Sequence, residues 1–301
     1  MVLVHFFMIF FIWFDLELNT LIKNDCDALS LRPMESDEDP FTTYNISENW
    51  KLLENVEGRA PCPKCNKSRK FFCYSCYIPM PEIKDYVPQI KLPIKIDIVK
   101  HRQEIEGKST SAHAAIIAPN HVSVFTFPTN VPTYPNDGKT VLIYPGKNST
   151  SIKTYLETHP VLVRRKNESD TDNVPGRITI GDNVVELPFD KLLFVDGTWR
   201  QSRAMFSCFK DLPCVVLQTR PSHFWRHQKN SPRWYLATIE ALHQSLHEIH
   251  QFSADLVDLP ISECQNREYD NLLFFFRFMH NVIHTLYDHD ELLSYRRPMN
   301  L

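Results

Sequence analysis

Four of the eight cysteines form two Cys-x-x-C pairs, Cys62 with Cys65 and Cys73 with Cys76, and seven residues separate the pairs. Each pair places two thiols on one side of a turn, and two such turns complete the tetrahedral sulfur set of a structural zinc ion. The alternative is a pair of redox dithiols or reduced core cysteines. The spacing favours zinc, and four thiolates leave no open position for a catalytic water, so the predicted role of the metal is structural.

The composition excludes several classes of protein. The chain of 301 residues has seven glycines and 21 prolines, and neither G-x-G-x-x-G nor G-x-x-x-x-G-K-[ST] occurs in it. Neither a Rossmann fingerprint nor a phosphate-binding P-loop is therefore supported. The hydrophobic share of 43 % and the charged share of 23 % are ordinary for a chain that buries a core.

The N-terminal part of the chain has a different character. Residues 1–14 are almost purely apolar, but a membrane span needs roughly 20 residues. The stretch also lacks the basic start of a signal peptide. A signal peptide is one interpretation, and the favoured one is a mis-annotated or alternative start, with Met34 as the candidate internal start. Eleven acidic residues against three basic ones occupy residues 1–57, which leaves a formal charge of +5 on the rest. We expect residues 1–58 to form a disordered leader that is first apolar and then acidic, and we expect no membrane partner. The positive charge of the remaining residues permits a polyanionic partner.

The rest of the chain alternates strand and helix patterns. Strand patterns cover residues 92–99, 122–127, 140–144, 191–195 and 214–217, and helix patterns cover 199–209, 236–249 and 269–287. Residues 164–173 are charged and polar, which is typical of a surface excursion. Strands that alternate with helices predict an α/β domain with a mostly parallel sheet flanked by helices.

An acidic turn follows the short apolar strand pattern of residues 191–195. Asp196, Gly197, Thr198 and Trp199 stand at the expected carboxyl end of a buried parallel strand, where open α/β sheets bind ligands. The alternative interpretation is structural, because Asp196 or Thr198 could cap the next helix.

The run from Asp196 to Met205 resembles the defining motif of the DTW-domain proteins. Four more blocks agree with that family in order: the paired Cys-x-x-C, VLIYP at 141–145, RPSHFWRHQK at 220–229 and ATIEA at 237–241. The resemblance covers about residues 60–287, and residues 92–101 and 269–275 resemble the first of its two eukaryotic paralogue groups.

The resemblance implies a tRNA-uridine aminocarboxypropyltransferase. Such enzymes move the 3-amino-3-carboxypropyl group of S-adenosylmethionine to N3 of a uridine, here one in the tRNA D-loop at position 20, and release 5′-methylthioadenosine. It also implies a SPOUT-like sheet, for which a knot near the C-terminal strands is one option, and a nuclear location with the cytoplasm as a second. The expected division is a zinc knuckle at 59–80, a catalytic domain at 81–290 and a tail at 291–301.

The resemblance and the chemistry together assign candidate roles at the site. Asp196 is the candidate general base for the N3 proton, and Thr198 orients it or binds the cofactor. Trp199 offers an aromatic face or is part of the core. Cofactor binding is expected of Pro145, Thr238 and Glu240. Glu240 could bind the amino group of the cofactor or pair with an arginine, and the alternative is that its carboxylate caps the helix.

A second segment interleaves aromatic and cationic side chains, as recognition of loop RNA requires. The candidate RNA-binding residues are Arg220, Trp225, Arg226 and Lys229, and the alternative is a solvated basic loop anchored by Trp225. Arg226 could instead hold the cofactor carboxylate.

One position departs from the family pattern, because Ala237 stands where a serine is usual. If that hydroxyl only caps the helix, its loss should cost about 1 kcal/mol. Two other functions stay open: a SPOUT-like RNA methyltransferase and a non-catalytic zinc protein that binds RNA. No protein partner can be inferred.

Overall fold

The computed structural model describes residues 39–168, 174–228, 231–256, 258, 267–288 and 292–299. Residues 1–38, which hold the apolar stretch, and Lys229 lie outside these ranges. Within the described ranges, no helix has the length and apolar character that a membrane crossing requires.

The strands alternate with helices in the chain. The strands are β1 (Ala60–Pro61), β2 (Ser68–Arg69), β3 (Phe72–Cys73), β4 (Ile78–Pro79), β5 (Lys95–His101), β6 (Val122–Phe127), β7 (Thr140–Ile143), β8 (Thr150–Ser151), β9 (Leu162–Arg165), β10 (Arg177–Ile180), β11 (Asn183–Glu186), β12 (Lys191–Asp196) and β13 (Cys214–Val216). The α-helices are α1 (Ser111–Ile117), α2 (Ile152–Thr158), α3 (Trp199–Phe206), α4 (Thr238–Asp255) and α5 (Phe274–Leu286). In the described part of the chain, three 3-10 helices cover Glu48–Asn55, Pro81–Ile83 and Arg267–Leu273.

Six strands form the central sheet in the order β6-β5-β12-β7-β13-β8, and every pairing in it is parallel. The predicted α/β class with a parallel sheet is therefore confirmed. The knot stays a prediction. Leu192 of β12 is opposite Ile96 of β5 and Val141 of β7, so β12 lies between two buried neighbours.

The sheet has a separate apolar core on each face. Successive side chains of a strand point to opposite faces, and accordingly Leu192 and Phe194 join the larger core while Leu193 joins the smaller one. Met205 of α3 covers the smaller core. Burial on both faces is why β12 shows a continuous apolar run without polar alternation.

Strands β9, β10 and β11 form a second, antiparallel sheet in the order β10-β11-β9. The sequence predicts a surface excursion over residues 164–173. Its described part agrees, since residues 165–168 are exposed, and residues 169–173 lie outside the described ranges. The sequence did not predict that Arg164 and Arg165 belong to a strand, because β9 is mostly exposed and has no apolar face that alternation could reveal; Leu162 is 63 % exposed.

The chain is ordered earlier than the sequence predicts. Order is expected near Arg59, yet Phe41, Trp50 and Leu53 are buried in the larger core. The backbone N–H of Asn45 donates to Asp270 Oδ2 at 2.8 Å, which fixes this segment beside the last 3-10 helix. The acidic composition conceals the order because the few apolar residues of the segment recur without a regular period.

Replacement of Leu53 by alanine should lower the free energy of unfolding by about 2–5 kcal/mol, since Leu53 is fully buried and the change leaves a cavity. Leu52 is 39 % exposed, so Leu52→Ala is the matched control. Chemical denaturation of both variants measures the difference. Equal stability of the two would mean that this segment does not contribute to the core.

Candidate active site and metal centre

A cleft of about 860 Å³ opens at the carboxyl edge of the central sheet. Its wall is formed by the segments that follow four adjacent strands, β5, β12, β7 and β13. Because parallel strands all end at the same edge, these four segments converge there. Of the residues predicted for the site, the wall contains Pro145, Asp196, Thr198, Trp199, Arg226 and Thr238.

Asp196 is buried in the cleft wall and held through both of its carboxylate oxygens. It is only 5 % exposed, and each oxygen accepts a hydrogen bond from a hydroxyl group. Thr238 Oγ1 donates to Oδ1 at 2.6 Å, and Ser109 Oγ donates to Oδ2 at 2.5 Å. Through these two hydrogen bonds the carboxylate connects the end of β12 and the end of the loop after β5 (residues 102–110, the β5 loop) to the first turn of α4.

Thr198 is the N-cap of α3. Its hydroxyl accepts from Gln201 N at 3.4 Å, while Gln201 Oε1 accepts from Thr198 N at 2.8 Å. This reciprocal pair is a capping box. Thr198 is also exposed and lines the cleft, so the same residue caps α3 and forms part of the cleft wall.

Trp199 presents an aromatic surface to the cleft. Its ring centroid lies 4.0 Å from that of Tyr235, which also lines the cleft, and 6.3 Å from that of Tyr144. The indole is half-buried. It is thus part of an aromatic wall and not of the fully buried core.

Glu240 lies behind the wall and is 2 % exposed. Its oxygens accept from Ser222 Oγ at 2.7 Å, His223 N at 2.8 Å and Ala237 N at 2.8 Å. The carboxylate therefore holds the loop that begins at residue 222 against the start of α4. It is not among the residues that line the cleft.

The basic and aromatic segment of residues 220–229 has some side chains in the cleft and others packed in the interior. Arg226 is exposed on the cleft wall. Trp225 packs on Phe276 with a centroid distance of 5.1 Å, and Arg220 donates to Tyr44 Oη at 2.9 Å and to the carbonyl of Glu240 at 3.1 Å. Lys229 lies outside the described residues.

The structure explains how helix α4 begins without the usual serine. Ala237 has no hydroxyl, but Thr110 Oγ1 accepts from Ile239 N at 3.1 Å from the loop after β5. Ile239 is the second residue of α4, whose free N–H an N-cap side chain normally satisfies.

Sequence reasoning missed the contribution of the β5 loop. Glu104, Lys108, Ser109 and Thr110 all line the cleft. The available signal was the position of this polar run shortly after the strand that the sequence predicts at residues 92–99. Once β5 is placed beside β12, its carboxyl end must lie next to Asp196.

The four cysteines of the paired motif converge as predicted, and their sulfur atoms lie within 4.8 Å of one another. Cys65 Sγ and Cys73 Sγ are 3.6 Å apart. Burial opposes ionisation of Cys73, but hydrogen bonds from the backbone of Ser75 and Cys76 and from Arg69 lower its pKa to about 6. Thiols this close cannot all ionise without a shared cation, so the donor set fits a metal ion such as zinc.

A second group of ligand atoms is formed by His243, His247 and Asp270. Both histidines place Nε2 at 2.8 Å from Asp270 Oδ1. Burial lowers the pKa of His243 to about 3 despite the carboxylate, so the ring is neutral. Hydrogen bonds between two imidazoles and one carboxylate account for this arrangement.

The fold and the cleft together define an α/β protein with a cleft at the carboxyl edge of a parallel sheet and a separate cluster of four cysteines. The family model of the DTW domain matches residues 70–284. The chain belongs to the DTW domain family, which confirms the resemblance seen in the sequence.

Curated relatives extend this finding to most of the chain. It is 38 % identical to a Xenopus laevis protein over 252 residues, 77 % of this chain and 82 % of the relative. It is 36 % identical to a Homo sapiens protein over 264 residues, 82 % and 84 % of the two chains. A Mus musculus protein is 33 % identical over 283 residues, 87 % and 90 %. Each is named tRNA-uridine aminocarboxypropyltransferase 1. No solved structure gives a significant match.

Replacement of Thr110 by valine should lower the free energy of unfolding by about 1 kcal/mol, because the start of α4 loses its acceptor while the side chain keeps its shape. Adding Ala237→Ser should restore most of the loss, since a serine at the N-cap can accept from the same turn. Thermal melts of the single and double variants measure both effects. A double variant no more stable than Thr110→Val would show that the Thr110 hydroxyl does not act as the cap.

Proposed function

We propose that this chain transfers the 3-amino-3-carboxypropyl group of S-adenosylmethionine to N3 of a uridine in tRNA, and that the uridine lies in the D-loop at position 20. The observation that carries the proposal is the convergence of the family's motif residues, Asp196, Thr198 and Trp199, on one cleft with Pro145 and Thr238. The names of the relatives support the reaction type. A nuclear location stays a prediction from the resemblance.

Bound S-adenosylmethionine would supply an electrophilic carbon beside a sulfonium, whose sulfur keeps the electron pair when the carbon–sulfur bond breaks and the bond to N3 forms. The protein must remove the N3 proton, because a protonated imide nitrogen is a poor nucleophile. Asp196 is the proposed acceptor. Its two hydroxyl partners hold the carboxylate in one orientation, and each oxygen keeps a lone pair for a further donor.

Trp199 and Tyr235 offer an aromatic surface on which an unpaired uracil can stack. The cations Arg200, Arg203 and Arg226 also line the cleft and suit the phosphates that flank such a base. Stacking is therefore assigned to Trp199, since Trp225 packs against the core.

A zinc ion on the four cysteines would act as a structural element. It would link the two short hairpins β1–β2 and β3–β4, which are too small to hold a core alone.

The reaction is tested by incubating purified protein with tRNA and S-adenosylmethionine and analysing nucleosides and small molecules by mass spectrometry. The proposal expects aminocarboxypropyl-uridine together with 5′-methylthioadenosine. A methylated nucleoside with S-adenosylhomocysteine would instead show a methyltransferase. Binding of tRNA without either product would show an RNA-binding protein.

Replacement of Asp196 by asparagine should lower single-turnover product formation about 100- to 10,000-fold, because the amide cannot accept the N3 proton. The melting temperature should change little, since an amide can bond the same two hydroxyls. Asp211→Asn, at an exposed turn, is the matched control. Near-normal turnover would exclude Asp196 as the base, and a collapsed melting temperature would make its role structural.

Purified protein should contain about one zinc per chain, and Cys73→Ser should lower the folded yield before it affects chemistry. The exposed Cys208 lies outside the cluster, so Cys208→Ser serves as the control. Metal analysis of protein prepared without chelators checks the content. Metal-free, fully folded protein would contradict the zinc assignment.

A further inference from the structure

The cofactor chain that the proposed reaction transfers carries one ammonium and one carboxylate. The amino group needs an acidic or carbonyl partner, and the carboxylate needs a cation or N–H groups. Glu240 is unsuited to the first role, because its three hydrogen bonds hold it behind the cleft wall. The acids that line the described cleft are Asp196 and Glu104.

The loop after β5 offers both charges. Glu104 and Lys108 line the cleft four residues apart. Backbone turns organise this loop, with Glu104 N donating to the carbonyl of His101 at 2.9 Å and Lys108 N donating to that of Ile105 at 2.8 Å. Both side chains thus belong to one ordered segment beside Ser109, which bonds Asp196.

The side chains of Glu104 and Lys108 have no hydrogen-bond or ion-pair partner among the described residues. The carboxylate of Glu104 is half-buried and makes no hydrogen bond or ion pair with a described residue, and neither does the ammonium of Lys108. This separates Glu104 from Asp196, whose oxygens are both engaged.

The charges around Glu104 are compatible with a further cation beside its carboxylate. Burial, and then the nearby charge of Asp196, raise the pKa of Glu104, while Lys108 and Lys100 lower it. Of the cations that line the described cleft, Lys108 is the one whose charge acts on Glu104 in this way. A bound ammonium would relieve the repulsion between the two carboxylates.

We propose that Glu104 and Lys108 form the subsite that binds the amino and carboxylate groups of the transferred chain, an assignment that rests on the proposed function. Glu104 faces the ammonium and Lys108 the carboxylate. Recognition at both ends would select the intact amino-acid chain of S-adenosylmethionine and place its carbon next to the group that takes the N3 proton.

The test compares two ligands that differ by the chain itself. S-adenosylmethionine carries it, whereas 5′-methylthioadenosine has only a methyl group on the sulfur. Calorimetry should show that Glu104→Gln and Lys108→Met each weaken binding of S-adenosylmethionine roughly 10- to 100-fold, the loss typical of a charged hydrogen-bond partner. Binding of 5′-methylthioadenosine should change less than about twofold, since it lacks both charged groups.

A third ligand separates the two residues. Decarboxylated S-adenosylmethionine keeps the ammonium but lacks the carboxylate, so Lys108→Met should not weaken its binding while Glu104→Gln should. Glu82→Gln and Lys84→Met, on exposed positions away from the cleft, are the matched controls, and thermal melts confirm folding.

The outcomes separate the subsite from the reaction. Suppose that the wild-type protein binds both S-adenosylmethionine and 5′-methylthioadenosine. If each variant then weakens the binding of the two ligands by the same factor, or weakens neither, the subsite assignment is wrong and the proposed function stands. If the wild-type protein binds neither ligand, the proposed function fails and the subsite with it.

Discussion

The carboxylate of Asp196 is the interaction on which the geometry of the cleft depends. A buried carboxylate is costly unless its oxygens receive hydrogen bonds. Two hydroxyls supply them, one from Ser109 and one from Thr238, and these residues lie far apart in the chain. Charge-assisted bonds of this kind are stronger than neutral ones. The ends of two neighbouring strands and the start of α4 are therefore fixed relative to one another by one side chain.

The loop after β5, which holds Ser109, also stabilises the start of helix α4. Thr110 caps the helix from outside, and Glu240 inside the helix bonds Ala237 N and the loop at residues 222–223. A helix that begins at the cleft thus depends on two segments that form the cleft wall. The substitution of the usual serine by Ala237 is compatible with the fold because the missing acceptor comes from a different strand connection.

The sequence was sufficient for the parts of the fold that a local pattern determines. The apolar run of β12, the paired cysteines and the ordered motif blocks predict the parallel sheet, the cysteine cluster and the family. The β5 loop and the segment around Trp50 were not predicted, because their roles arise only when distant segments pack together. Glu240 shows the same limit: its motif position left a cofactor contact and a helix-capping role open, and its burial and three hydrogen-bond partners became visible only in the folded chain.

The residues near the C-terminus form a brace for the cleft. Tyr295 Oη donates to the carbonyl of His223 at 2.9 Å, and Arg297 donates to that of Pro232 at 3.1 Å. The backbone carbonyl of Pro298 accepts from Arg233 N at 3.0 Å. These contacts hold both ends of the loop that carries Arg226. A protease cut before Tyr295 would leave the central sheet complete while it removes the contacts that hold one wall of the cleft, so shortening the protein from this side would loosen the cleft before it disturbs the sheet.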